Sequence, residues 1–401
     1  MEIAIISDLY PPEVIGGAEK HAADDAEKLA DEGHIVTVLT SGAEAPFHRV
    51  DESETNGLTV RRFRPVNAHA PIRYQDVSLP RKLIGHGFNI WNPHADWMVE
   101  KQLTDIDPDI VHVHNYRGLS GAVFSAVGRL DAPVVLTLHD YAALHIRSGL
   151  FKDGEIIEPG PLMKLYQRYI DPIISDNVDM ILSPSQFVID RHHDEGVFTD
   201  VPTQRLQLGI DESELQFEDV DAENASETRL LYAGQLNESK GIDVLIDAVK
   251  SIDSSDISLH VLGKGPEREA LEARAGDDDR IEFHGFVSES ELVRQYSLAD
   301  FTVVPSRWYD NSPMVIYESY ARGTPVIGAD IGGIPELIES GETGYCFEPD
   351  QPEALAELIV SRRDEAAELA SNVEELDISL DTHVERLVDT YESLVDGPRT
   401  C

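Results

Sequence analysis

Apolar residues in this chain gather into short continuous runs separated by stretches of helical period. EIAIIS, HIVTVLT, DIVHVH, PVVLTLH and MILSPS are predominantly apolar runs, as strands buried on both faces of a sheet tend to be. Between the first two, AEKHAADDAEKLADEG reads as an amphipathic helix closed by Gly33. A second series follows as RLLYAGQ, SLHVLG, IEFHG, DFTVVPS and TPVIGAD. Strands of this kind alternating with helices predict parallel sheets covered on both sides, an α/β fold of two Rossmann-like doubly wound domains. The pattern breaks at 206–228, where LQLGIDESELQFEDVDAENASET is polar and acidic. The domains are therefore placed at 1–208 and 209–377. A last helical segment, about 378–396, opens a 378–401 tail expected to pack back on the N-terminal domain. In open parallel sheets ligands sit beyond the carboxyl ends of the strands, so two such domains facing across a cleft put the informative residues just after strands.

Composition narrows the class. The 401 residues fit two domains of roughly 150–200 residues. No run of 18 apolar residues and no basic-then-apolar leader occurs, which predicts a cytoplasmic protein that meets a membrane at most peripherally, at its inner face. Cys346 and Cys401 have no metal-ligand spacing, so neither a disulfide framework nor a zinc site is expected. Asp and Glu number 75 against 32 Lys and Arg, only 9 of them Lys, for a net charge of −43. Dispersed over a chain with clear apolar periodicity, this charge reads as a solvated surface that needs salt to screen it. The expected setting is a salt-rich cytoplasm, that of a halophilic archaeon. Nucleic acid and anionic membranes are poor partners for such a surface.

One stretch, RWYDNSPMVIYESYARGTPVIGADIGGIPELI at 307–338, is marked by its helix start. Ser312 suits an N-cap, Pro313 the first helical position and Gly323 the residue past the end, predicting a helix over 313–322. A helix N-terminus offers unpaired N–H groups and partial positive charge, which suit a phosphate. GGAE at 16–19 and GGIPE at 332–336 echo each other as glycine pairs opening helices. Neither is a GxGxxG, and SDLYPPEVIGG is too long for a dinucleotide loop, which argues against nicotinamide or flavin chemistry.

These segments together resemble the retaining glycosyltransferases of family 4, whose GT-B architecture sets two Rossmann-like domains face to face. The resemblance runs through GGAEKH, TLHDY at 137–141, AGQLNESKGIDVLIDA at 233–248, GKGPER at 263–268, HGFVSESEL at 284–292 and the 307–338 stretch. It implies transfer of a sugar from a nucleotide-diphosphate-sugar to a glycan or lipid-linked acceptor, with retention at the anomeric carbon. It also implies no cofactor, no required metal ion, and closure of the domains over the donor.

By the same resemblance, Lys240 meets the donor diphosphate, where a fixed ammonium stabilises the charge gathered by the leaving group. Gln235 stands where the family commonly has arginine, and donates hydrogen bonds without charge. Asp310 and Glu318 correspond to the family's E-x7-E, with Asp for the first Glu. Glu318 would accept from the ribose hydroxyls, unless it is a surface partner of Arg322. Asp310 would contact the donor sugar together with backbone N–H groups of Asn311, Met314 and Val315, beside Ser312. His139 would line the donor-sugar pocket, and the catalytic set is His139, Lys240 and Asp310. Gly16 and Gly17 resemble the loop that lets backbone approach the diphosphate. Phe286 and Val287 fall where the family's backbone contacts the base. His112 and His114 alternate with valines and read first as core histidines. The DDD run at 277–279 reads as a solvated loop.

Residues 61–82 carry six basic residues and one acidic one. Either their arginines neutralise neighbouring acidic helices, or Arg73 and Arg81 receive an anionic acceptor such as a lipid-linked phosphate. Two other functions keep the same fold: a nucleotide-sugar epimerase, and a non-catalytic sugar-nucleotide-binding subunit suggested by Gln235 and Asp310.

Overall fold

The structure, a computed structural model, describes residues 1–45, 47, 49–67, 78–211 and 227–397. Its residues form two compact units. A two-strand hairpin, β7 (Phe151–Lys152) and β8 (Glu155–Ile156), belongs with the second.

Unit 1 holds the residues up to Leu150, those from Glu158 to Leu208, and the C-terminal stretch from Leu380. Its strands are β1 (Glu2–Ser7), β2 (Ile35–Ser41), β3 (Asp51–Thr55), β4 (Leu58–Phe63), β5 (Ile110–Asn115), β6 (Val134–Thr137), β9 (Met180–Ser183) and β10 (Thr203–Arg205). They form one sheet in the order β10-β9-β6-β5-β1-β2-β4-β3, parallel except for the β3–β4 pair. Helices α1 (Gly17–Asp31), α2 (Leu79–Ile90), α3 (Pro93–Ile106), α4 (Ala122–Val127), α5 (Pro161–Ser175) and α6 (Gln186–Asp194) connect them. Asn92 and Ser185 cap α3 and α6 through their side chains, supplying acceptors for first-turn N–H groups.

Unit 2 has the strands β11 (Thr228–Ala233), β12 (Ile257–Leu262), β13 (Ile281–Gly285), β14 (Phe301–Val304), β15 (Val326–Ala329) and β16 (Gly344–Phe347). All pair in parallel, in the order β13-β12-β11-β14-β15-β16. Its helices are α7 (Ile242–Ser251), α8 (Arg268–Ala275), α9 (Glu289–Leu298), α10 (Met314–Tyr320), α11 (Pro352–Arg362) and α12 (Ala366–Val373). Leu230, Leu259, Val261 and Phe301 of the sheet meet Leu245, Val249, Leu355 and Ile359 of α7 and α11 in its core, each fully buried side chain contributing about 1.5–3 kcal/mol.

The closing helix, α13 (Leu380–Val395), packs on unit 1. Leu380, Val384, Leu387 and Tyr391 join Ile3, Ile5, Leu29 and Val38 in one cluster. These apolar positions recur every three to four residues, so one stripe of the helix is buried. Among the described residues no helix is long and apolar enough to cross a membrane. The doubly wound α/β class expected from strand composition is the one observed. Each sheet also fixes a switch point, between β1 and β5 in unit 1 and between β11 and β14 in unit 2, where chain connections leave in opposite directions.

Candidate functional site

At the unit 2 switch point, the loops after β11 and β14 lock together. The first ends in a single 3-10 turn, Glu238–Lys240, closed by Gly241 at φ 65°. A Cβ on Gly241 would lie 2.0 Å from the Pro305 carbonyl oxygen, so only glycine lets the loops approach this closely. The Arg307 N–H donates to the Ser239 carbonyl at 2.9 Å. The Arg307 guanidinium grips both oxygens of Asp243, at 2.7 and 2.9 Å, and also pairs with Asp350. These contacts aim Lys240 at Asp310: Nζ lies 2.7 Å from Oδ1 and 2.9 Å from Oδ2. Trp308 Nε1 donates to Oδ1 at 2.6 Å. The Asp310 carbonyl accepts from the Gly333 N–H at 2.7 Å, which ties in the second glycine pair. Sequence reasoning named Lys240 and Asp310 separately, and their pairing is a tertiary fact. Arg307 and Trp308, which place them, were missed although both stand in the quoted stretch.

The expected helix over 313–322 needs correction. It spans Met314–Tyr320, with Pro313 as its flanking residue and no side-chain cap. Ser312 is not the N-cap, because its hydroxyl pairs with the Tyr317 hydroxyl at 2.9 Å. Met314 and Val315 open the helix, so their N–H groups have no partner within it, and Asn311 lies in the loop just before. Glu318, in the second turn, accepts from the Tyr296 hydroxyl at 2.9 Å. Burial, and then the Glu318 charge, push that phenol's pKa far above its ordinary value. Gln235 is exposed after β11 and accepts from Asn237 Nδ2 at 3.4 Å. Phe286, past β13, is 75% exposed, with Lys264 Nζ 4.5 Å from its ring centroid; the GKGPER motif and the scarcity of lysine were the signals for Lys264. Val287 packs instead against Leu231, Leu262 and Tyr296. In the DDD run, Asp278 is held by Arg280.

Unit 1 has a cavity of about 440 Å³ at its own switch point, at the carboxyl ends of β1, β5 and β6. Asp8, Glu19, Arg117, His139 and Asp140 line it with asparagines 67, 89 and 115. Asp8 accepts from the Gly118 N–H at 2.9 Å, and burial lifts its pKa to about 6. Burial also raises the pKa of Asp140, which accepts from the Ala142 N–H at 2.7 Å. Arg117 donates to the Arg147 carbonyl and the Ser148 hydroxyl. Asp8 and Asp140 went unremarked in the sequence, although Asp8 directly follows β1 and Asp140 stands three residues past the end of β6. Burial, then the nearby His383, lower the His139 pKa to about 4, so its imidazole is neutral near neutrality. Its Nε2 lies 3.1 Å from His114 Nδ1. His112 and His114 are both buried. The Gly16 N–H donates to Glu19 Oε2 at 2.7 Å, so this glycine serves to cap α1, which begins at Gly17. Arg73 lies outside the described residues, and Arg81 falls in the first turn of α2.

The sequence also matches known families. A model described as Glycosyltransferase Family 4 matches residues 15–214, and one described as Glycosyl transferases group 1 matches residues 227–363. An uncharacterized glycosyltransferase of Methanocaldococcus jannaschii is 27% identical over 382 residues, covering 89% of this chain and 87% of the relative. Among solved structures, the sucrose-phosphate synthase of Thermosynechococcus elongatus superposes with TM-score 0.75 at 21% identity, covering 98% of this chain and 99% of that one. Anabaena HepE in complex with UDP-glucose superposes with TM-score 0.70 at 18% identity, covering 98% of this chain and 99% of that one. With both halves matched in order and both sheets wound as that architecture requires, the chain belongs to the GT-B glycosyltransferases, a family 4 domain followed by a group 1 domain.

Proposed function

We propose that this enzyme is a retaining glycosyltransferase that uses a nucleotide-diphosphate-sugar donor, needs no metal ion for transfer, and acts on a hydroxyl of a glycan or lipid-linked acceptor. The observation that carries the reading is the Lys240–Asp310 pair at the unit 2 switch point. The HepE complex, which binds UDP-glucose, supports a donor of this class.

In this reading the diphosphate draws Lys240 from Asp310, because its two phosphoryl groups concentrate more charge than one carboxylate. The opening N–H groups of α10, at Met314 and Val315, add donors. Asp310, released, accepts from a donor-sugar hydroxyl, and Glu318, oriented by Tyr296, accepts from the ribose. Phe286 and Val287 meet the base, with Gln235 beside the diphosphate. As the bond from the anomeric carbon to the diphosphate breaks, the acceptor oxygen adds on the same face and its proton passes to the departing phosphate oxygen. The protein's part is to position the reactants and stabilise the leaving charge.

The unit 1 cavity is where the acceptor hydroxyls would enter. Among the described residues that line it, carboxylates and amides outnumber the Arg117 guanidinium, and such a lining suits hydroxyl donors. His139, neutral, would hydrogen-bond the donor sugar there, with Gly17 at the loop. Arg73 and Arg81 would receive an anionic part of the acceptor; reversing both charges would then abolish transfer and leave donor hydrolysis intact. The acidic surface fits a halophilic cytoplasm, with the enzyme working at the inner face of the membrane.

The test is product stereochemistry. Incubated in molar salt with α-linked nucleotide-sugars and hydroxyl acceptors, the enzyme should give an α-linked product by proton NMR. A β-linked product contradicts retention. Scrambling of the sugar without acceptor identifies an epimerase instead.

A further inference from the structure

Apart from the switch points, unit 1 buries a cluster of imidazoles around one carboxylate. Asp25, on α1, has a fully buried side chain, and neither of its oxygens has a hydrogen-bond partner. Three rings from three elements crowd it. His383 Nε2, from α13, is 3.0 Å from Oδ1. His21 Nε2, one turn earlier on α1, is 3.5 Å from the same oxygen. His114 Nε2, from β5, is 3.7 Å from Oδ2. None of these nitrogens makes an aligned hydrogen bond, and His21 has no partner at either ring nitrogen. His112, close by, is different: it is paired at both nitrogens, with Tyr391 at 2.6 Å and Thr137 at 2.7 Å.

A buried carboxylate without hydrogen bonds costs several kcal/mol unless a cation meets it. The hollow beside the cluster, walled by His21, Asp25, His383 and leucines, is too tight to admit a water. Two kinds of cation remain. One is a protonated His383: burial opposes its charge, and the Asp25 carboxylate and the Gln207 carbonyl together still raise its pKa above the ordinary value. That arrangement leaves His21 unsatisfied and requires an N–H that does not point at the carboxylate. The other is a metal ion bound by lone pairs on His21, Asp25 and His383, three ligand atoms lying within 4.8 Å of one another. Ligand atoms of tetrahedral zinc, at about 2.0–2.1 Å from the ion, are separated by about 3.3 Å. The 3.0 and 3.5 Å spacings from Asp25 Oδ1 bracket that edge. His383 is also already oriented as a ligand: Nδ1 faces the Gln207 carbonyl at 2.6 Å. A carbonyl only accepts, so Nδ1 carries the proton and Nε2 offers its lone pair, the usual support for a metal-bound histidine.

We propose that His21, Asp25 and His383 form a structural site for a zinc-class divalent cation that staples α13 to α1. Two neutral imidazoles and one carboxylate suit zinc and its neighbours better than magnesium or calcium. His114 is the nearest further donor for a fourth position. The cation would hold the C-terminal helix on unit 1, with no part in sugar transfer.

The test uses the full chain, without a histidine tag, purified in molar salt with no added metal. Elemental analysis should find about one zinc per chain. Dipicolinate should remove it and lower the Tm by about 5 °C or more, and zinc chloride should restore both. Cobalt(II) loaded into the stripped protein should give the intense visible bands of tetrahedral coordination. His21→Gln and His383→Gln should each lower retained zinc at least tenfold. The proposal is overturned if the wild-type chain carries no stoichiometric metal and neither zinc nor cobalt shifts its Tm. It is equally overturned if both variants retain the metal. The wild-type measurements decide the matter even where a variant fails to fold.

Discussion

Lys240 and Asp310, 70 positions apart in sequence, meet through two oxygens at 2.7 and 2.9 Å beside the unit 2 switch point. Asp310 is only 6% exposed. Each charge therefore keeps the other satisfied.

Removing one member should separate stability from function. Lys240→Met leaves a buried carboxylate supported by Trp308, and should cost about 1–3 kcal/mol of stability. Transfer should fall by about 10²–10³-fold. Adding Asp310→Asn should recover part of the stability and none of the activity, as read by urea unfolding and by kcat/KM in molar salt. Equal recovery of both would assign the pair a purely structural role.

Gly241 should matter without touching a ligand. Gly241→Ala places a Cβ 2.0 Å from the Pro305 oxygen at φ 65°, so the β11 and β14 loops must separate and Lys240 must move. A Gly33→Ala control has φ 90° and no atom within 4 Å of the new Cβ. The control should lose about 1–2 kcal/mol from its backbone angle alone with kcat/KM unchanged, whereas Gly241→Ala should lose stability and at least tenfold in kcat/KM.

The contrast shows what a sequence carries. Strands such as EIAIIS and DIVHVH were legible because burial on both faces leaves mostly apolar residues in them. The edge strand β3, DESET, and its neighbour β4, LTVRRF, were not, since β3 is exposed along its whole length and β4 mixes arginines with valine and leucine. Lys240, Asp310 and Glu318 were singled out as candidates through motif order. The Lys240–Asp310 contact was not, because nothing local in either segment encodes a partner in another loop. Ser312 failed as a predicted cap because the Tyr317 hydroxyl, one turn on, competes for its side chain.

Asp8 should make stability depend on pH. Its pKa rises from 3.8 to about 6 on folding because burial disfavours the charge, so the folded chain holds this proton more tightly than the unfolded one. The stabilisation is complete below about 4 and is lost as pH rises to about 6. Asp8→Asn keeps an acceptor for Gly118 and cannot ionise. Its Tm should exceed that of the wild type above pH 6 and match it near pH 4; a difference independent of pH would refute the assignment.

Net charge makes a separate demand. At −43, self-repulsion should lower the Tm in tens of millimolar potassium chloride relative to molar salt, because screening shortens from about 30 Å to 3 Å between 0.01 and 1 M. A Tm that does not change over that range would contradict the salt-rich setting.

In the proposed reaction Lys240 holds a nucleoside diphosphate. Calorimetric titration of UDP, GDP and ADP into wild type and Lys240→Met, in molar salt, measures this. At least one of the three should bind the wild type at least tenfold more tightly than the variant. Equal affinity for both proteins would place the diphosphate elsewhere and contradict the claim.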